Sequence, residues 1–382
     1  MRAWWVVSSL FFVCFLQIRT TQADAAKLRQ TEKQALGKAI FMDTALSEPA
    51  GQSCASCHSR DKAFADPSKT VSAGANPTRL GNRNAPSISY VRFTPEPHYN
   101  QKDETWVGGL FLDGRARTMH EQATGPLLNL LEMGNPNAAA VIAKLKTRPY
   151  AQQFTAIYGS DIWTSTPKAF DAVADALVAY EIGAEFAPFS SKYDAYLRGQ
   201  VLLNAQEKHG LELFEDEKKG NCAACHPSQR GAKREMPLFT DFSYDNIGVP
   251  RNAKLPFYAM DKKFNPAGKN YVDTGLANAP YADAQKERGK FKVPTLRNVA
   301  KTAPYMHNGV FETLRDAVEF YNTRDTDKKW GAPEVPDNVN KDELGNLKLT
   351  EADTNALVAF LNTLSDGYPL PQTPKNRSAL SH

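Results

Sequence analysis

Cysteine is scarce in this chain. Only five occur in 382 residues, and one of them, Cys14, lies in an apolar N-terminal run. So few exclude the disulfide-dense scaffolds of small secreted domains. An excess of one charge is lacking too: 46 Lys and Arg face 42 Asp and Glu, for a formal net charge of +4, and no block of five or more like charges occurs. A nucleic-acid-binding surface needs a basic stripe, and the sequence has none. Past residue 16 no apolar run approaches the roughly 20 residues that span a bilayer, so stable membrane insertion is not expected. Strand patterns are weak, which leaves a mostly α protein with extended loops rich in Pro, Gly and Asn.

At 42% hydrophobic and 23% charged the composition is that of an ordinary globular protein, and the length allows two to three domains. Residues 1–23 read as a cleavable signal peptide. Arg2 supplies the positive start, Ala3 to Leu16 the apolar run, and the small residues around Ala23 the cleavage site. An uncleaved anchor is the alternative, and the run is short for one. Cleavage would remove Arg2 and Arg19 and leave a charge near +2. The expected location is the periplasm.

The four remaining cysteines fall into two copies of one pattern, 168 residues apart: Cys54-Ala-Ser-Cys57-His58 and Cys222-Ala-Ala-Cys225-His226. Isolated Cys-x-x-Cys pairs could be redox dithiols or halves of a zinc site. With His directly following, each has the signature of covalent haem attachment, in which both thiols add to porphyrin vinyl groups and the histidine ligates iron. Two covalently bound haem c groups are the expected cofactors.

The surroundings repeat as well. Gly37-x-x-x-Phe41 then Asp43 precedes the first motif, and Gly210-x-x-x-Phe214 then Asp216 precedes the second. Downstream, Ala-Leu-Val-Ala-Tyr (176–180) matches Ala-Leu-Val-Ala-Phe (356–360), each in a segment of helical periodicity with one apolar face. An opening helix, Cys-x-x-Cys-His and a closing helix make a cytochrome c unit. The repeat predicts two such domains in tandem, 24–190 and 191–370, followed by a tail, 371–382.

A haem with two strong protein ligands carries electrons, whereas one with an open position can bind peroxide. After His58 the next histidine is His98, and the segment 117–136 presents Gln122 and Glu132. A carboxylate over an open iron can take a proton from one peroxide oxygen and return it to the other. On spacing alone, Glu132 is equally a surface acid or helix cap.

The order "FLDGRA" (111–116), "GPLLNLLEM" (125–133), "FKVPTLRNVAKTAPYMHNGVF" (291–311) resembles the bacterial di-haem cytochrome c peroxidase and MauG family over essentially the whole chain after the signal segment. The resemblance implies that the first haem is peroxidatic, with Glu132 and Gln122 catalytic, and that the second transfers electrons. It also implies a calcium ion bound by Asn84 and by the backbone carbonyls of Thr302 and Pro304. Where ordinary members place a Met ligand on the second iron, this chain has Tyr321, as MauG-like members do; Met306 or His307 would be the ligand if Tyr321 were only a core residue. Residues 59–97 contain no histidine, so the reductively released cap of many relatives is missing. Leu112 replaces the Trp usual between the haems, and Lys219-Gly220 stands where MauG has a Trp before its second motif. The tryptophans beyond the signal segment, Trp106, Trp163 and Trp330, each read as packing residues, and Trp106 is the first to test as a relay. The implied activity uses hydrogen peroxide to form a high-valent iron state that oxidises an aromatic residue, a tryptophan by resemblance, of a secreted partner protein. Two alternatives stand beside it: a detoxifying cytochrome c peroxidase fed by a small cytochrome c or cupredoxin, and a di-haem electron carrier.

Overall fold

The structure, a computed structural model, describes residue 24 and residues 26–67 and 70–371. The signal segment 1–23, and the expected tail apart from residue 371, lie outside the described residues. No described helix is long and apolar enough to cross a membrane.

The fold is mostly helical, as expected. Helix α1 covers residues 26–42, and α2 (Cys54–Cys57) is a single turn carrying the first motif. Helices α3 (Met119–Leu128), α4 (Ala138–Leu145), α5 (Ala151–Tyr158) and α6 (Thr166–Glu181) follow. Then come α7 (Lys192–Leu197), α8 (Ala205–Glu215), α9 (Leu314–Thr323) and α10 (Glu351–Asn362). The starts are written in the sequence. Reciprocal capping boxes open α8 (Asn204, Glu207), α9 (Thr313, Asp316) and α10 (Thr350, Asp353), satisfying amides that have no partner inside the helix. Among the described residues, four short strands make two antiparallel pairs, β1 (His98–Asn100) with β2 (Thr105–Val107) and β3 (Tyr244–Asp245) with β4 (Phe291–Lys292).

The chain forms two compact units. One holds the described residues up to Ala55 with Gly74–Arg79 and Met119–Gly183; the other holds the described residues of Ser56–Ala73, Leu80–Thr118 and Ala184 onward. These units do not follow chain order, whereas the expected haem-bearing domains, 24–190 and 191–370, are a division by chain order alone.

Each unit contains one copy of the repeated packing. In the first, a Cβ on Gly37 would fall on the carbonyl of Ala176, so α1 and α6 meet backbone to backbone, and Phe41 packs edge-on against Tyr180 at 5.3 Å. In the second, Gly210 abuts the Ala356 carbonyl, joining α8 to α10, and Phe214 meets Phe360 edge-on at 5.2 Å. The four repeated positions noted in the sequence, Gly, Phe, Ala and Tyr or Phe, are therefore two copies of one helix crossing. Glycine is required because only a missing Cβ allows this approach. Around the second crossing, Phe214, Phe239, Phe360 and Leu364 are almost wholly buried.

Gly210→Ala must push α8 away from α10, and the expected loss is about 1–3 kcal/mol of unfolding free energy. Urea denaturation followed by far-UV circular dichroism measures it, and an unchanged midpoint would contradict the crossing.

Candidate functional site

Both motif histidines are half-buried, and loss of solvent, the largest influence on each, pushes the imidazole toward its neutral form. His58 Nδ1 lies 2.8 Å from the Phe64 carbonyl and His226 Nδ1 lies 2.8 Å from the Phe239 carbonyl. A carbonyl only accepts, so the proton sits on Nδ1 and the lone pair on Nε2, the form in which imidazole binds a metal. Phe64 (φ +59°) and Phe239 (φ +55°) both adopt the left-handed conformation that turns the carbonyl toward the ring. Two residues after each stands an aspartate, Asp66 or Asp241, whose charge acts on the same histidine. The sequence carried this signal as Phe-Ala-Asp (64–66) and Phe-Thr-Asp (239–241), at unequal spacing from the two motifs.

The four cysteines form no disulfide. Burial pushes the Cys222 and Cys225 thiols up to about 12, with Asp241 adding to the shift at Cys225. Thiols held protonated are poor redox nucleophiles. Among the described residues no group of three or more His, Cys, Asp and Glu is placed to hold a metal ion, and a closed zinc site needs four ligands. The donor set, two thiols and one neutral, oriented imidazole per motif, fits covalent haem.

Tyr321 lies on α9 and packs with Phe311, Ala317 and Phe320. Burial raises its phenol, Cys225, Cys222 and Asp245 raise it further, and Arg324 opposes them. Those couplings put the Tyr321 hydroxyl within electrostatic reach of the second motif. A phenol so costly to ionise alone gives up its proton readily only against a cation, which ferric iron is. The His307 ring stacks on Phe291 at 3.7 Å, with Nε2 3.9 Å from Glu334. Met306 packs in the same cluster as Tyr321.

In the first unit Gln122 lies on α3, while Glu132 lies in the turn beyond that helix, partly buried. The turn is firmly braced. Asn129 donates from Nδ2 to Glu132 Oε1 at 2.7 Å and accepts from the Leu131 amide at 2.9 Å. The Glu132 carbonyl accepts from the Ala75 amide at 2.7 Å, and Asn135 donates to the Leu46 and Leu127 carbonyls. Asn129 is a supporting residue that the periodic reading missed.

Asn84 donates from Nδ2 to the Thr70 carbonyl at 3.0 Å, and its amide donates to the His307 carbonyl at 2.8 Å. Among the described residues no hydrogen bond is donated to Asn84 Oδ1 or to the Thr302 and Pro304 carbonyls. Three uncommitted oxygens suit a hard cation such as calcium. The preceding residue anchors the segment: Arg83 pairs with Asp273 through two 2.6 Å bonds and with Asp113 at 2.7 Å. Burial opposes the Arg83 charge, but the two carboxylates outweigh it and hold the guanidinium above its ordinary range. Burial likewise opposes the Asp273 charge, and Arg83 holds that carboxyl below its usual range.

A family model described as di-haem cytochrome c peroxidase matches residues 31–201. The methylamine utilization protein MauG of Paracoccus denitrificans is 39% identical over 375 residues, covering 94% of each chain. The cytochrome c551 peroxidase of Nitrosomonas europaea is 30% identical over 347 residues, 90% of this chain and 84% of that one. Among solved structures, the diheme peroxidase BthA of Burkholderia thailandensis has a TM-score of 0.80 at 40% identity, covering 87% of this chain and 86% of its own. Fold and motifs define a di-haem c-type cytochrome. The chain belongs to the di-haem cytochrome c peroxidase and MauG family, and is a haem peroxidase-type oxidoreductase.

Arg83→Gln leaves the buried Asp273 carboxylate without its cation and Asp113 with Arg115 alone, and the expected loss is about 3–5 kcal/mol in urea unfolding at neutral pH. Because the folded Asp273 protonates only below the range of an unfolded aspartate, its contribution is complete above about pH 4 and is lost as pH falls through the folded value. The gap between wild type and variant should therefore narrow in acid, and a gap that widens there would contradict the pairing.

Proposed function

We propose that this chain is a periplasmic enzyme of MauG type, which consumes hydrogen peroxide and withdraws electrons from an aromatic residue, a tryptophan by resemblance, of a secreted partner protein. The observation that carries the reading is the Tyr321 hydroxyl in electrostatic reach of Cys222 and Cys225, from where a phenol oxygen would serve with His226 as a protein ligand to the second haem. A phenolate favours oxidised iron, so this centre would hold an oxidising equivalent better than it would supply an electron. The missing histidine in residues 59–97 supports the same reading, because nothing there would cap the first site until reduction released it.

When bound, the haem pair supplies peroxide cleavage and stores the two oxidising equivalents. The chain's own residues do the rest. His58 and His226 offer oriented Nε2 atoms, and Cys54, Cys57, Cys222 and Cys225 fix the groups covalently. Glu132 takes a proton at its carboxylate and returns it to the departing oxygen, Gln122 orients the peroxide, and Asn129 holds the Glu132 side chain through Oε1. Asn84 Oδ1 with the Thr302 and Pro304 carbonyls would hold a calcium ion, for which oxygens that accept no hydrogen bond among the described residues are the support. The second reading, a peroxidase reducing peroxide to water with electrons from a small cytochrome c or cupredoxin, draws on the Nitrosomonas europaea relative and on Met306, which lies in the Tyr321 cluster.

Adding hydrogen peroxide to the as-purified ferric holoprotein should change both haem spectra without any reductant. Tyr321→Met should lose that response yet keep peroxide turnover with a reduced small cytochrome. A wild type that stays silent until reductant is supplied belongs to the second reading. Removing the acid–base group in Glu132→Gln should slow the reductant-free reaction by roughly 10²–10⁴-fold in stopped-flow absorbance. An unchanged rate would return Glu132 to a purely structural role.

A further inference from the structure

Leu112 cannot carry charge, yet the second unit contains a continuous line of aromatic rings. Tyr99 on β1 meets Trp106 on β2 edge-on, with ring centroids 5.6 Å apart. Trp106 packs on Tyr281 at 4.6 Å. The Tyr281 and Tyr244 hydroxyls lie together above Gly114, where any Cβ would strike both. Tyr244 opens β3, and its neighbour Asp245 acts electrostatically on both Cys225 and Tyr321. On the same approach, the Asp241 amide donates to the Cys225 carbonyl at 3.0 Å. One end of the line is therefore a partly exposed hairpin, and the other is buried beside the second motif.

We propose that Tyr99, Trp106, Tyr281 and Tyr244 form an electron conduit between the β1–β2 hairpin and the second haem site, with Trp106 as the residue on which the oxidising equivalent rests. This deepens the reading under Proposed function and rests on it. The choice of Trp106 follows from protons and charges. The hydroxyls of Tyr244 and Tyr281 donate to the carbonyls of Gly108 at 2.6 Å and Gly114 at 2.8 Å. A neutral carbonyl does not take up a phenol's proton, so neither tyrosine can settle as a neutral radical. Cations also sit over both of Trp106's neighbours, Arg117 at 5.5 Å from the Tyr281 ring and Lys286 at 5.7 Å from the Tyr99 ring, and each opposes a positive charge there. The indole can lose an electron while keeping its proton. In each transfer Trp106 gives one electron inward across Tyr281 and Tyr244 and is left as a radical cation. An aromatic residue of the partner protein then returns one electron to it. Two such transfers account for the two electrons that convert one peroxide, with two protons, to two waters.

The test uses the ferric holoenzyme with hydrogen peroxide and no partner, comparing wild type, Trp106→Phe and Trp106→Tyr. Expected in wild type is an organic radical signal in electron paramagnetic resonance, and oxygen added to the Trp106 peptide in mass spectra. Trp106→Phe should form the same peroxide-induced haem spectrum, lose the radical and hold that spectrum severalfold longer. Trp106→Tyr, which restores an oxidisable ring, should restore the radical and the faster decay, whereas a packing role would make the two variants alike. If Trp106→Phe keeps the wild-type radical and decay, the conduit is wrong and the proposed function stands. If wild type shows no reductant-free response, the proposed function fails and the conduit with it.

Discussion

A neutral imidazole with its proton fixed on Nδ1 is the constraint on which the chemistry of this protein depends. An iron ligand needs the Nε2 lone pair pointed in one direction, and a histidine free to rotate or to protonate supplies neither. Burial alone would make the ring neutral without orienting it. The orientation comes from a carbonyl, and the carbonyl comes from a phenylalanine in a backbone conformation that side-chain-bearing residues seldom adopt. Such residues persist only where the surroundings fix them. At the first motif, the carbonyl of Ala63 accepts from the Ser89 hydroxyl at 2.9 Å and from Ser87, and the Phe64 ring stacks on Phe186 at 4.2 Å. At the second, Phe239 is fully buried in the core that forms where α8 crosses α10. At the second motif the glycine-to-carbonyl helix crossing and the histidine tautomer are thus links of one chain of cause: close helices make a core, the core pins a phenylalanine, and the phenylalanine aims the histidine.

Against this shared frame, the chemistry is set by what differs. Both histidines have an aspartate two residues beyond their pinning phenylalanine, so the proximal sides are electrostatically alike. The other residues are not alike. Tyr321 belongs to a helix with three acidic or thiol groups in electrostatic reach and one arginine, an environment that penalises a free phenolate and rewards one bound to a cation. Glu132 belongs to a turn, not a helix, and an asparagine amide holds its Oε1.

Much of this was legible in the sequence. The Gly, Phe and Ala positions of the repeat proved to be direct contacts, because a backbone-to-backbone crossing tolerates so few residue types that the pattern survives as identity. The Phe-x-Asp repeat was harder to read. It lies 6 residues beyond His58 but 13 beyond His226, and the extra loop hides an equivalence that exists only in space. The turn holding Glu132 was ambiguous for a related reason: helical periodicity runs on in the letters past Leu128, where the backbone leaves the helix. The two compact units were not legible at all, since segments on both sides of the first motif are shared out by packing, which chain order does not encode.

The absent tryptophans have a physical basis as well. At Gly220 a Cβ would fall on the Leu213 carbonyl, so no side chain fits there, least of all an indole. Its neighbour Lys219 is committed to Asp353 at 2.9 Å, the same aspartate that caps α10 and meets His209 at 3.1 Å. The approach to the second motif on that side is therefore given over to closing the helix crossing. Leu112 is tied by its carbonyl to the Lys292 amide at 2.9 Å, on the strand β4 that pairs with β3. That ladder holds Tyr244 in register, and Tyr244 is the innermost ring of the aromatic line. Charge that can pass neither beside Gly220 nor through Leu112 still has oxidisable rings along β3.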